Sequence, residues 1–278
     1  MRDDEFPISE VGEWAKEKHE RLRKFVNISR YARQKYVDPA KSKLQGGAVG
    51  GATYIDLFSG PGRSRIRESG EIIDGSPVVA FRASVESGAR FTEVHLGDLN
   101  PEFCKAACAR VKAIGGNSFA YAGRATDTVS EVTASLRPEG LHFALLDPFN
   151  LEGLSFEVVR ALSSMKHIDL LLHLSLQDLQ RNLDRYVASE QSPLDVFAPG
   201  WRQHTDPKQG QRGFRAALLT YWQSLVRRLG FQHQRAGELV TGTGGQRLYW
   251  LIFLSRHSIA NDFWDKIRNV GGQGELTL

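Results

Sequence analysis

The 278-residue sequence predicts an α/β protein built on a mostly parallel, twisted, doubly wound sheet, and three observations predict it. Strand-like and helix-like segments alternate from residue 53 to residue 174, the pattern of parallel strands joined by crossover helices. The first of these strands runs into a glycine turn, Ser59-Gly60-Pro61-Gly62, and a later one runs into Asp147-Pro148. Near its end the chain has two strand-like stretches around Thr241-Gly242-Thr243-Gly244-Gly245, a hairpin signal, so the sheet is expected to end in an antiparallel pair.

In chain order, residues 1–45 read as a basic helical extension. Trp14, His19, Leu22, Phe25 or Val26, and Ser29 or Tyr31 recur at helical spacing between Glu10 and Tyr36, amid Lys16, Lys18, Arg21, Arg23, Lys24, Arg30 and Arg33. Two readings stay open: a stripe packed on the core below a solvated face, or an arm facing nucleic acid or substrate. Residues 46–278 read as the sheet domain. Its opening run Gly46-Gly47-Ala48-Val49-Gly50-Gly51 precedes the first strand instead of linking a strand to a helix, so it reads as a linker and not a phosphate loop. Thr53–Phe58 is the first strand, and Pro77–Glu86 its helix, with Ser76 as cap and proline at the first helical position. Strands are expected at Phe91–Gly97, Ser118–Ala122, His142–Leu146 and Ile168–Leu174, with helices at Pro101–Ile114 (Asn100 as cap), Thr126–Leu136 and Leu154–Ser164 between them. From about 177 to 211 the pattern loosens around Pro193, Pro199, Gly200 and Pro207, which reads as an insertion or lid. An amphipathic helix follows at Phe214–Leu229, then the hairpin of Leu239-Val240 and Leu248–Ser255.

Composition narrows the function classes. Thirty-six Lys and Arg against 32 Asp and Glu leave a net charge of +4, compatible with a polyanionic partner without requiring one. Cys104 and Cys108 are the two cysteines; four residues apart on a helix they share a side but do not suit a disulfide, and a structural zinc needs more ligands, so they read as core packing. The longest apolar runs are too short for a bilayer, and a cytoplasmic setting is expected. No carboxylate cluster reads as a two-metal site, so a nuclease is disfavoured and no metal is expected.

The chemistry gathers at the strand ends. In Tyr54-Ile55-Asp56-Leu57-Phe58-Ser59-Gly60-Pro61-Gly62 the glycines let backbone approach a ligand without Cβ clashes, and the ligand of a doubly wound sheet lies at the carboxyl ends of its strands. Asp56 there suits an amino group or an ordered water, which fits the methionine end of S-adenosylmethionine better than a pyrophosphate; a plain tight turn is the alternative. Asp98, followed by Leu99, ends the second strand where a carboxylate can accept both ribose hydroxyls, or else it shares helix capping with Asn100. Asp127 either accepts from an adenine amino group or caps the next helix. In Asp147-Pro148-Phe149-Asn150 a carboxylate and a proline-restrained carbonyl can accept from a substrate amino group while Phe149 offers a stacking face. Methyl transfer to an aligned nucleophile needs mainly such positioning. The alternative is a structural Asp-Pro strand end. His173, Gln177, Arg181 and Arg185 are further candidates for the acceptor side, with solvation the competing role of the arginines. Arg63, Arg65 and Arg67 alternate, so an extended segment would aim them together at an anionic substrate.

Asp147-Pro148-Phe149 resembles the Asp-Pro-Pro-Tyr/Phe motif of amino methyltransferases that act on adenine, with a single proline as its departure. Residues 54–63, Gly75-Ser76-Pro77, Asp147-Pro148-Phe149, and Trp14 with Lys18 together resemble the three-Cys-motif partner (TcmP) proteins, in order across most of the chain. Asn150 stands where that family's pattern has glycine. The resemblance implies a Rossmann-like class I methyltransferase fold, a bacterial or phage setting, and a cysteine-motif protein as a partner. The resulting expectation is a methyltransferase using S-adenosylmethionine, acting on a nucleic-acid base, with a small-molecule or protein acceptor and a non-catalytic regulatory partner as rivals.

Overall fold

The computed structural model describes residues 4–41, 50–231, 238–241 and 247–268. The chain opens with β1 (Ser9–Val11), α1 (Trp14–Ile28) and α2 (Arg30–Val37), followed by β2 (Ala52–Asp56), β3 (Arg63–Ile66), β4 (Ile72–Asp74) and α3 (Ser76–Glu86). Alternation then gives β5 (Glu93–Asp98), α4 (Pro101–Ala113), β6 (Ser118–Ala122), α5 (Ala125–Ser135), β7 (Leu141–Leu146), α6 (Phe156–Leu162) and β8 (Ile168–Ser175). Four helices follow, α7 (Leu176–Ala188), α8 (Pro193–Phe197), α9 (Trp201–His204) and α10 (Gly210–Arg228), then β9 (Glu238–Thr241), β10 (Arg247–Leu254) and α11 (Ser258–Arg268).

Seven strands form the main sheet in the order β6-β5-β2-β7-β8-β10-β9. The first five are mutually parallel, and β10 enters antiparallel between β8 and β9, pairing Leu251 with His173 and Tyr249 with Ser175. The strand order reverses beside β2, so the crevice of the switch point lies where β2, β5 and β7 end. The expected parallel sheet with a terminal antiparallel pair is therefore present, and the architecture is the Rossmann-like class I methyltransferase fold. Residues 46–49 of the expected linker and 242–246 of the hairpin turn lie outside the described residues.

Alternation along the strands splits the core into two layers. Ile55, Ala144, Leu170 and Leu172 face α5, α6 and the α7–α10 helices; Tyr54, Phe143, Leu145 and Leu171 face α1, α3, α4 and α11. Leu22, Phe25 and Val26 of α1 are buried in the second layer, so this basic helix lays its stripe on the sheet. The stripe includes Lys18 and Arg21, which the charge pattern places on the solvated face.

The loosened stretch 177–211 is mostly helical and is packed into the core as far as Trp201, while residues 202–204 and 206–211 are exposed. Leu194, Phe197 and Trp201 are at most 1% exposed; Phe197 stacks on Trp222 at 5.3 Å, and the Trp201 indole donates to Asp195 at 2.8 Å. Prolines at helix starts break the periodicity without breaking the core, since proline suits a first turn. Cys104 and Cys108 are buried thiols, and burial pushes Cys104 up to about 11. Among the described residues no helix is long and apolar enough to cross a membrane.

Two local readings change. The cap of α3 is Gly75, and Ser76 is its first residue, with its hydroxyl turned to Asp56 at 2.7 Å. The segment after the glycine turn is extended as β3, in a small sheet ordered β1-β3-β4, yet its arginines do not converge: Arg63 is buried against Asp4 at 3.4 Å, while Arg65 is exposed.

Candidate functional site

The glycine turn is held from every side. Gly60 and Gly62 have φ of +54° and +78°, a region L side chains rarely adopt. Ser59 N–H donates to Gly97 O at 2.9 Å, Gly75 N–H to Gly62 O at 2.9 Å, and the Arg110 guanidinium to Pro61 O at 2.6 Å. A Cβ on Gly62 would lie 3.1 Å from the Ala107 Cα, so α4 packs directly on the turn, and Ser59, Pro61 and Gly62 are buried supports. Gly60 differs: a Cβ there meets nothing nearer than Ser9 Oγ at 4.0 Å, and the residue is partly exposed.

Asp56 is 0% exposed. Its carboxylate accepts from Tyr54 Oη at 3.1 Å, Ser76 Oγ at 2.7 Å and Phe58 N–H at 3.1 Å, so it braces β2, the turn and α3 instead of presenting oxygens to the crevice. Burial pushes its carboxyl from 3.8 up to about 7, against the pull of the Ser76 hydroxyl. A folded pKa above the unfolded one means that the native state holds the extra proton between about pH 4 and 7, so this group's contribution to stability falls as pH rises through that window. Subtracting the urea-unfolding stability of Asp56→Asn from that of the wild type is expected to leave a difference that declines from pH 4 to 7 and is flat above; a flat difference throughout contradicts the placement.

Asp98 closes the turn from β5. Oδ2 accepts from Gly60 N–H at 3.0 Å and Oδ1 from Asn100 N–H at 2.8 Å, and burial holds its carboxyl above the ordinary range. The cap of α4 is Asn100, which accepts from Glu102 N–H at 3.0 Å. Each Asp98 oxygen retains a second lone pair, and the side chain is only partly buried. Leu99 beside it is 70% exposed. Asp127 lies exposed in the first turn of α5; the cap position there is Arg124, so Asp127 does not fill it. Phe58 is half-buried against the core.

Across β2 the second half of the site leaves β7. Asp147 binds the Lys18 ammonium and lies 3.4 Å from His173 Nδ1. Helical spacing sets Trp14 and Lys18 on one face of α1, with Lys18 Nζ 4.7 Å from the indole centroid. Trp14 stacks on His173 at 6.2 Å and meets Tyr249 edge-on at 5.7 Å, and Tyr249 lies 4.2 Å from the His173 ring. Because β10 is antiparallel, its first residues reach the carboxyl end of β8, which is how Tyr249 joins the site. Burial pushes His173 down to about 4 despite the neighbouring Asp147, so it is neutral at pH 7. Pro148 is buried, whereas Phe149 is 95% exposed. Asn150 is exposed and accepts from Gly153 N–H at 3.0 Å in a local turn, and Asp178 of α7 fixes the next residue by accepting from Leu151 N–H at 2.9 Å. Arg181 and Arg185 are exposed.

The structure thus joins Gly60 with Asp98, and Asp147 with His173, Trp14 and Lys18, all at strand carboxyl ends. It withdraws Arg63 into an ion pair with Asp4, gives Asn150 to a local turn and Asp56 to the frame. The expected set lacked Tyr249, Ser76 as a partner of Asp56, and Arg110 as the clamp on Pro61. The antiparallel hairpin pointed to the first; the other two depend on contacts across 20 and 49 residues.

No family model and no curated protein matches the chain. Among solved structures it is similar to protein LPL1258 from Legionella pneumophila str. Philadelphia 1, of family-model DUF519, with 8% identity, 92% of this chain and 94% of that chain covered, and a TM-score of 0.52. It also matches the cofactor-bound Rv0187 from MTB at 12% identity, 91% and 84% coverage and a TM-score of 0.47. The likeness to LPL1258 is one of fold.

Proposed function

We propose that the chain is an S-adenosylmethionine-dependent methyltransferase that methylates an amino nitrogen of a nucleic-acid base. The observation that carries the reading is the pairing, across β2, of the partly exposed Gly60 tied to Asp98 with the Asp147-Pro148-Phe149 end of β7. The donor set fits this cofactor: Asp98 has lone pairs for ribose hydroxyls, the exposed Leu99 offers an apolar face for the adenine, and the crevice carries carboxylates that would repel a pyrophosphate. When bound, the cofactor supplies a methyl group already activated on a sulfonium. Asp147 then orients the acceptor amino group as a hydrogen-bond acceptor, the exposed Phe149 ring stacks on the base, and neutral His173 with Trp14 and Tyr249 walls the pocket from water. Lys18 neutralises Asp147 when the pocket is empty, and an incoming amino group competes for the same carboxylate.

Calorimetry is expected to show saturable S-adenosylmethionine binding that weakens about 10–100-fold in Asp98→Ala, the loss of charge-assisted hydrogen bonds of about 1.5–3 kcal/mol. Absence of heat together with an unchanged melting temperature rejects the cofactor. We also propose membership of the three-Cys-motif partner proteins, a reading supported by Lys18, which carries that resemblance with Trp14, lying over the Trp14 ring and pairing with Asp147. Specific capture of a cysteine-motif protein encoded nearby would support that membership.

A further inference from the structure

At the opposite end of the strands from the glycine turn lies a cavity of about 290 Å³ that the proposed reaction does not use. It opens between α2, the starts of β7 and β8, and the start of α11. Its walls are aromatic, including Phe25, Tyr36, Phe91 and Phe143. The volume is close to the lower end of small-molecule sites, roughly 300–1,000 Å³.

Its one carboxylate is Asp169. This side chain begins β8 on the face that carries Phe143 as its register partner, and its hydrogen-bond partner is the Ser255 hydroxyl. Among the described residues Asp169 forms no ion pair. Four basic groups line the same cavity, of which His142 is bonded through Nε2 to Arg137 O at 3.0 Å. Arg33 is committed elsewhere, donating to Ala89 O, Ser29 Oγ and Ser87 Oγ and lying over the Phe91 ring at 5.0 Å; Lys35 is exposed, and His257 stacks on His167. A recessed carboxylate without a cation is costly, and aromatic faces attract positive charge. Burial accordingly pushes the Asp169 carboxyl up to about 6, a shift that a bound cation would reverse.

We propose that this cavity is a second ligand site, taking a small organic ammonium ion with an aromatic or apolar body, its nitrogen on Asp169 and its body among Phe25, Tyr36, Phe91 and Phe143. The site is separate from the cofactor crevice and stands whether or not the chain transfers methyl groups.

The test is calorimetry on the full chain at pH 7.5 with 2-phenylethylammonium, 2-phenylethanol and 3-phenylpropanoate. The ammonium ion is expected to bind saturably, and the isosteric alcohol and the anion at least about tenfold more weakly, as a charged hydrogen bond of about 1.5–3 kcal/mol implies. Asp169→Asn is expected to remove that preference. Ala32→Phe, which fills the cavity from α2 and leaves the carboxylate in place, is expected to abolish binding of the ammonium ion. Both variants should keep the helical circular-dichroism signal of the wild type. Equal affinity for alcohol and ammonium, unchanged binding in Asp169→Asn, or no binding of any probe below about 10 mM overturns the proposal.

Discussion

Replacing Asp147 with Ala is expected to lower methyl transfer about 10²–10³-fold while leaving S-adenosylmethionine affinity within about threefold. Asp147 stands at the end of β7, across β2 from the turn that Asp98 holds, so it can orient the acceptor without touching the cofactor. The variant also carries a structural penalty. The Lys18 and Asp147 side chains are 7% and 16% exposed, and removing one partner leaves a recessed ammonium alone, at a cost of about 3–5 kcal/mol. The double variant Lys18→Met/Asp147→Ala separates the two roles: melting temperature should recover toward the wild type, while transfer stays low. Recovery of both would make the pair a purely structural one.

Trp201→Ala is expected to cost about 3–5 kcal/mol, lowering the melting temperature by roughly 6–20 °C. The indole is 1% exposed, meets Phe214 edge-on at 5.5 Å, and holds Asp195 through its N–H. Truncation therefore opens a cavity in a packed helical layer and removes one donor from Asp195, which keeps Arg202 and the Ser192 N–H. A mobile lid would behave otherwise, with turnover altered and the melting temperature unmoved. Thermal unfolding of this variant decides between a core and a lid for residues 177–211.

The sheet was legible because its signals are local. Ser118–Ala122 is bounded by the turn residues Gly116-Asn117 and Gly123, and the Asn100-Pro101 pair announces a helix start through the chemistry of capping. What escaped depended on contacts distant in sequence. Lys18 stands out beside Trp14 as a motif residue, but its ion pair with Asp147, 129 residues away, is not visible in the sequence. Arg63 alternates with Arg65 as a substrate-facing pair should, but Asp4 is folded back on it. Asp56 carries the motif position of a cofactor ligand, and Tyr54 and Ser76 turn its oxygens inward. In each case the residue type was readable and its partner was not. Helices α8 and α9 escaped for a different reason: segments of five and four residues are too short for a 3.6-residue period to register.

The central claim is methyl transfer at the crevice shared by Gly60, Asp98 and Asp147. It is tested most directly by incubating the chain with tritiated-methyl S-adenosylmethionine and DNA, RNA or cell extract. Label is expected in nucleic acid, on an amino nitrogen, and is expected to fall about 10²–10³-fold with Asp147→Ala. Label in none of the three acceptors, or label that survives Asp147→Ala undiminished, would contradict the account.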